Sequence, residues 1–154
     1  MGFEIEKKFL VRSNEWMNLA KGVFYRQGYL SRVKERTVRV RTVGSKGYIT
    51  VKGISTGAKR REFEYEISFS DATEMLNDLC EKPLIEKERY KIKYEGMLWE
   101  VDKFLGDNEG LICAEIELID EDRKFKKPGW IGEEITGDPK YFNSNLVNNP
   151  YKKW

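Results

Sequence analysis

Phe3-Glu4-Ile5-Glu6-Lys7-Lys8-Phe9-Leu10-Val11 is the stretch on which the reading of the fold turns. Side chains of a β-strand alternate between two faces. As a strand, the segment puts Glu4, Glu6 and Lys8 on one face and Phe3, Ile5, Lys7 and Phe9 on the other. Two carboxylates two residues apart can share a hard metal ion, and a lysine beside them can hold a phosphate.

The same parity recurs along the chain. Arg39 and Arg41 share a face against Val38 and Val40, and Lys52 lies with Thr50 and Tyr48 against Ile49 and Val51. Glu62, Glu64 and Glu66 share a face with Arg60, against Phe63, Tyr65 and Ile67. Lys87, Arg89 and Lys91 form another charged face, Glu100 and Asp102 oppose Trp99 and Val101, and Glu115 and Glu117 oppose Ala114, Ile116 and Leu118. A solvent-facing sheet explains alternation by itself. It does not explain charges of a single sign on most strands, because like charges at neighbouring positions repel and need a counter-charge. The apolar faces are also rich in Phe, Tyr and Trp, and helices are available to cover them from outside. The arrangement that satisfies both facts closes the strands into a barrel with a wet, charged lumen, since a dry collection of unpaired charges is prohibitive. Basic strands would hold an anion and acidic strands cations. A polyphosphate chain with Mg²⁺ or Mn²⁺ fits that description.

Strand-like segments span about residues 3–11, 23–33, 36–43, 47–53, 60–69, 85–94, 97–105 and 111–120. Turn residues separate several of them, and Glu95-Gly96 reads as a tight hairpin. Three helices fit the remainder. Ser13 caps one to about Ala20. Ser70-Asp71 opens a second, with Ala72, Met75, Leu76, Leu79 and Cys80 at helical spacing before Pro83. Asp138-Pro139 opens a third to about Val147. A turn is expected around Arg123–Lys127, ahead of Pro128. The fold class is therefore mainly β (α+β): one domain over residues 1–154, an eight-stranded antiparallel β-barrel with helices outside.

Composition narrows the chemistry. The net charge of +2 does not mark a duplex nucleic-acid binder. There is no histidine, which excludes histidine zinc sites and Ser-His or Cys-His nucleophiles. Proton transfer must use Glu, Asp, Lys, Tyr or a metal-bound water. Cys80 and Cys113 lie in apolar patterns, far apart, and read as buried thiols. No apolar run approaches a membrane span and no signal peptide is evident, so a cytoplasmic protein is expected.

Glu4-Ile5-Glu6-Lys7-Lys8 resembles the ExExK signature of the CYTH superfamily, the triphosphate tunnel metalloenzymes. The resemblance extends in order through Val38–Arg41, Thr50–Gly53, Arg60–Ile67, Glu86–Tyr90, Trp99–Asp102 and Glu115–Leu118 to Pro128–Asp138 and Tyr141–Leu146. It implies an eight-stranded tunnel that binds a triphosphate and divalent metal, with Tyr141 and Asn143 on a helix closing one end. It also implies Lys8, Arg39, Arg41, Lys52, Lys87 and Arg89 as phosphate-binding residues. Glu4, Glu6 and Glu117 become metal ligands; Glu62, Glu64, Asp102 and Glu115 are acidic tunnel positions. Among these, Glu64 and Glu115 are assigned to metal, Glu62 or Asp102 to orienting the attacking water, and Lys8 or Arg39 to the leaving phosphate. Lys7 stands where the family often has Arg, and Asn148-Asn149-Pro150 lacks a histidine frequent before that proline.

The activity expected is a metal-dependent triphosphatase acting on a small-molecule triphosphate, inorganic tripolyphosphate first, with two Mg²⁺ or Mn²⁺ ions per site. A class IV adenylate cyclase, a nucleoside or thiamine triphosphatase, and a polyphosphate-binding module are the alternatives. No nucleic-acid or membrane partner is expected, and the protein is a monomer or homodimer.

Overall fold

The computed structural model describes residues 2–154. Eight strands carry the fold: β1 (Phe3–Val11), β2 (Val23–Ser31), β3 (Thr37–Val43), β4 (Lys46–Lys52), β5 (Lys59–Ile67), β6 (Ile85–Tyr94), β7 (Met97–Phe104) and β8 (Ile112–Glu117). Every pairing is antiparallel, in the order β5-β4-β3-β2-β6-β7-β8-β1. Phe3–Ile5 of β1 then pairs with Lys59–Arg61 of β5, which closes the barrel and leaves few free edges. The β6–β7 hairpin turns on Glu95 and Gly96, both at positive φ, as a two-residue turn matched to strand twist requires.

A ninth strand, β9 (Ile131–Glu134), was not expected from the sequence. It pairs with Phe9–Val11, on the edge of β1 that β5 leaves open. The strand is too short to show alternation, and Gly132 interrupts it. The glycine is needed because a Cβ there would meet the Leu10 carbonyl oxygen at 3.1 Å.

The expected helices shrink or shift. The first is a single 3-10 turn, Glu15–Asn18, with no side-chain cap; it exists to bury Trp16, whose indole N–H donates to the Ser13 carbonyl. The second, α1 (Phe69–Asp78), starts two residues early because Ser68, not Ser70, accepts the Asp71 amide. Its Ala72 and Leu76 pack on Val40 of the barrel, whereas Leu79 stays exposed. The third is broken. Pro139–Tyr141 is a 3-10 turn, Phe142 is extended, and α2 (Asn143–Leu146) follows. The expected turn at Arg123–Lys127 lies earlier, at Asp120–Arg123, and the residues after it run without regular structure.

The core is divided. Outside the barrel, Phe9, Trp99, Trp130 and Phe125 meet edge to face beneath the 123–130 segment, and Trp16 stands edge to face on Tyr90. A second cluster lies at one end of the lumen. There Leu146, Val147 and Ile135 seal against Tyr29, Ile85, Phe104, Leu111 and Cys113. Both cysteines are free and buried. Among the described residues no helix is long and apolar enough to cross a membrane.

Candidate active site

Strand pairing fixes the site. Directly paired residues point to the same side, and the register sets Glu6 opposite Glu117, Lys8 opposite Glu115, Arg89 opposite Asp102, Arg39 opposite Thr50, Thr50 opposite Glu64 and Lys52 opposite Glu62. The result is one charged lumen around a cavity of about 270 Å³. Every residue selected from sequence lines it except Asp102. Arg60, Glu100, Thr136 and Asn143 also line it, and Tyr25 lies behind with Arg41 and Arg89 over its ring.

Asp102 stands behind the wall, 2 % exposed. Its oxygens accept from Lys87 Nζ at 2.7 Å and from Arg89 Nε and Nη2 at 2.7 and 2.8 Å. Although burial opposes its charge, Arg89 and Lys87 hold its carboxyl well below the usual range. Lys87 is equally buried. Burial and the nearby Arg89 bring its ammonium down to about 8 despite Asp102. The chain of charges continues from Arg89 to Glu115 at 3.1 Å and from Glu115 to Lys8 at 3.4 Å. Against burial, Lys8 and Arg89 bring the Glu115 carboxyl down to about 2.

A second cluster joins β3, β4 and β5. Glu64 Oε2 accepts from Thr50 Oγ1 at 2.7 Å and meets Arg39 and Arg41 at 3.3 and 3.5 Å. Burial and the adjacent Arg39 bring Arg41 down to about 10. In the third cluster, Lys52 binds Glu4 at 3.0 Å and Glu62 at 3.5 Å. Burial resists ionisation of Glu4, but Lys52 outweighs it and the carboxyl sits low; burial and Glu4 push Glu62 up.

The Nε atoms of Arg39 and Arg41 are buried with no acceptor. Among the described residues, Glu6 and Glu117 form no ion pair or side-chain hydrogen bond. Burial, then Glu115 and Glu4, push Glu6 well up; burial, Glu4 and Glu100 push Glu117 up. The lumen thus sets cationic side chains beside two carboxylates that have no cationic partner among the described residues. Among the described residues no three carboxylates converge closely enough to enclose an ion alone. A hard divalent cation such as Mg²⁺ held by one or two carboxylates keeps water or phosphate oxygens in its shell.

The sequence profile of the CYTH domain matches residues 2–147. The chain belongs to the CYTH family. It is 62% identical over 154 residues to the inorganic triphosphatase of Acetivibrio thermocellus, covering 100% of this chain and 99% of that protein. It is 37% identical over 148 residues to the inorganic triphosphatase of Nitrosomonas europaea, covering 94% and 96%. A crystal structure of the inorganic triphosphatase NE1496 shares the fold with a TM-score of 0.63 at 34% identity, over 93% of this chain and 96% of that one. A structure from Pyrococcus horikoshii, 23% identical, shares the fold alone, with a TM-score of 0.60 over 77% of this chain and 80% of that one. CYTH membership accounts for the closed tunnel and implies dependence on a divalent metal.

The ExExK segment of this CYTH chain carries three roles on one strand: Glu4 paired, Glu6 unpaired, Lys8 bridged. What sequence reasoning missed is Thr50, the hydroxyl linking Arg39 to Glu64; Asn143, expected on the closing helix, reaches the lumen, where its Oδ1 accepts from Gln27 and Lys87. Thr50 shares the parity of Lys52, and that was the available signal.

Proposed function

We propose that this protein is a divalent-metal-dependent triphosphatase whose favoured substrate is inorganic tripolyphosphate, cleaved to orthophosphate and pyrophosphate. The observation that carries this reading is that one cavity is lined by Arg39, Arg41, Lys52, Lys87 and Arg89 together with Glu6 and Glu117, two carboxylates with no cationic partner among the described residues. A phosphate chain with its cation satisfies both. The identity to two inorganic triphosphatases supports the choice of substrate.

Phosphoryl transfer rests on positioning and charge neutralisation. Arg39, Arg41, Lys52, Lys87 and Arg89 grip the phosphate oxygens. Glu64 and Asp102 hold four of these five cations in place, so little reorganisation is needed when substrate enters. Glu6 and Glu117, with Glu4 nearby, would hold Mg²⁺ or Mn²⁺; Glu64 and Glu115, already engaged by cations, brace that set. Bound there, the metal would neutralise charge on the phosphate oxygens and acidify a water. Glu62, whose carboxyl burial and Glu4 push up, orients the attacking water and receives its proton. The water oxygen bonds to the terminal phosphorus as the bridging P–O bond breaks, and Lys8 neutralises the departing pyrophosphate. Asp102 has no free oxygen for that water and acts as a brace.

The test is product identity. Purified protein is given tripolyphosphate, ATP or thiamine triphosphate with Mg²⁺, Mn²⁺ or EDTA. Metal-dependent orthophosphate release, fastest on tripolyphosphate, is expected. Cyclic AMP together with pyrophosphate from ATP, without orthophosphate, would make it a cyclase; binding without turnover would make it a binding module.

A further inference from the structure

Residues 148–154 lie beyond the span matched by the CYTH profile, yet they touch the segment that holds Lys8. The Lys8 ammonium donates to the Tyr141 carbonyl at 3.3 Å. The backbone of Lys8 is held by the same segment: its N–H donates to Thr136 Oγ1 and its carbonyl accepts the Ile135 amide. The direction in which Lys8 enters the lumen is therefore set by residues 135–141 together with the Glu115 carboxylate on β8.

What fixes that segment from outside is aromatic. The Tyr141 ring stands edge to face against Trp154 at 5.3 Å, and Trp154 against Tyr151 at 5.0 Å. Lys140 Nζ lies 4.1 Å over the Trp154 ring. The Trp154 indole N–H donates to the Asn149 carbonyl, and the Tyr151 amide to Oδ1 of buried Asn108, between β7 and β8. The Tyr151 ring covers Gly110, which has φ +104; a Cβ there would stand 3.0 Å from the ring. Residues 149–154 thus tie the tunnel plug to the β7–β8 connection, on the far side from the lumen.

We propose that the Tyr151–Trp154 clasp is a positioning element for the triphosphate site: it holds the Tyr141 carbonyl, and through it the Lys8 ammonium, where the anion binds. Trp154 meets Tyr141, Tyr151, Lys140 and Asn149, outside the lumen lining, and is a positioning residue, not a catalytic one. This inference rests on the triphosphate reading of the lumen, so its test reads anion affinity, which is separate from turnover.

The experiment is a double-mutant cycle read by calorimetric titration with tripolyphosphate in EDTA, alongside thermal unfolding. The variants are Trp154→Ala, Trp154→Phe, Lys8→Met and Lys8→Met with Trp154→Ala. Trp154→Ala should weaken binding about tenfold, as expected when a binding group is misplaced. Trp154→Phe, which keeps an aromatic ring, should restore most of the affinity. On the Lys8→Met background, Trp154→Ala should change affinity by less than about twofold, because the group it positions is gone. Unchanged affinity in Trp154→Ala, or the same loss on both backgrounds, would overturn the proposal. If Trp154→Ala does not fold, Tyr151→Ala takes its place in the cycle with the same expectations. Should wild type bind tripolyphosphate without hydrolysing it, the triphosphatase reading fails while the clasp remains decided by the cycle.

Discussion

Glu6 on β1 and Glu117 on β8 face each other across a strand pair, and neither has a cationic partner among the described residues. Two carboxylates at directly opposed positions repel, so the pair is retained at a cost to the fold. Removing one of them should therefore separate function from stability. Glu6→Gln should lower kcat/KM for tripolyphosphate by about 10²- to 10³-fold, the scale of losing one transition-state contact. Its thermal midpoint without metal should equal or exceed that of wild type. Added Mn²⁺ should raise the wild-type midpoint by ligand linkage and leave the variant's nearly unmoved. Steady-state kinetics and thermal melts with and without Mn²⁺ check this; wild-type turnover in the variant would contradict it.

Asp102 makes the opposite case. It holds Lys87 and Arg89, both buried, and removing one partner of a buried ion cluster leaves uncompensated charge. Asp102→Asn should cost about 3–5 kcal/mol of folding stability. Urea unfolding reads this directly. A variant as stable as wild type but catalytically dead would return Asp102 to a direct role in the reaction.

The buried Lys87 gives a pH dependence. Its ammonium sits at about 8 because burial and Arg89 disfavour the charged form. Below that pH it is a cation that binds the anion; above it the charge is lost. Tripolyphosphate affinity in EDTA should fall as pH rises through about 8. Lys87→Met should bind more weakly throughout and lack this component, so the ratio of the two affinities should narrow from pH 7 to pH 9. A constant ratio across that range would mean that Lys87 keeps its proton.

Gly132 is where β9 passes closest to β1. Gly132→Ala places a methyl 3.1 Å from the Leu10 carbonyl oxygen. Overpacking of this kind should destabilise the protein by about 1–3 kcal/mol, measured by urea denaturation. An unaffected midpoint would show that β9 can move away from β1 at no cost.

The barrel was legible because its information is local. Alternation in Glu4–Lys8, Arg39–Arg41 and Glu115–Glu117 directly encodes which face each charge occupies, and closure follows from many such strands. The unequal fates of those charges were not legible. Asp102 and Glu100 share a strand face, yet Asp102 is sealed between Lys87 and Arg89 while Glu100 lines the cavity. That difference depends on depth in the lumen, which strand parity does not report. The broken helix at Phe142 was hidden for a similar reason. Asp138 and Pro139 do start a turn, but the chain then extends so that Asn143 reaches Gln27 and Lys87, contacts more than fifty residues away in sequence. Ser68, which caps α1, is of the same chemical type as the expected Ser70, and local sequence does not rank the two.

Tripolyphosphate is followed by phosphorus NMR with purified protein and diamagnetic Mg²⁺, and again with EDTA. Equal amounts of orthophosphate and pyrophosphate are expected, appearing together with metal and absent with EDTA. Intact tripolyphosphate in the presence of metal, or the same cleavage in EDTA, would contradict metal-dependent triphosphatase activity.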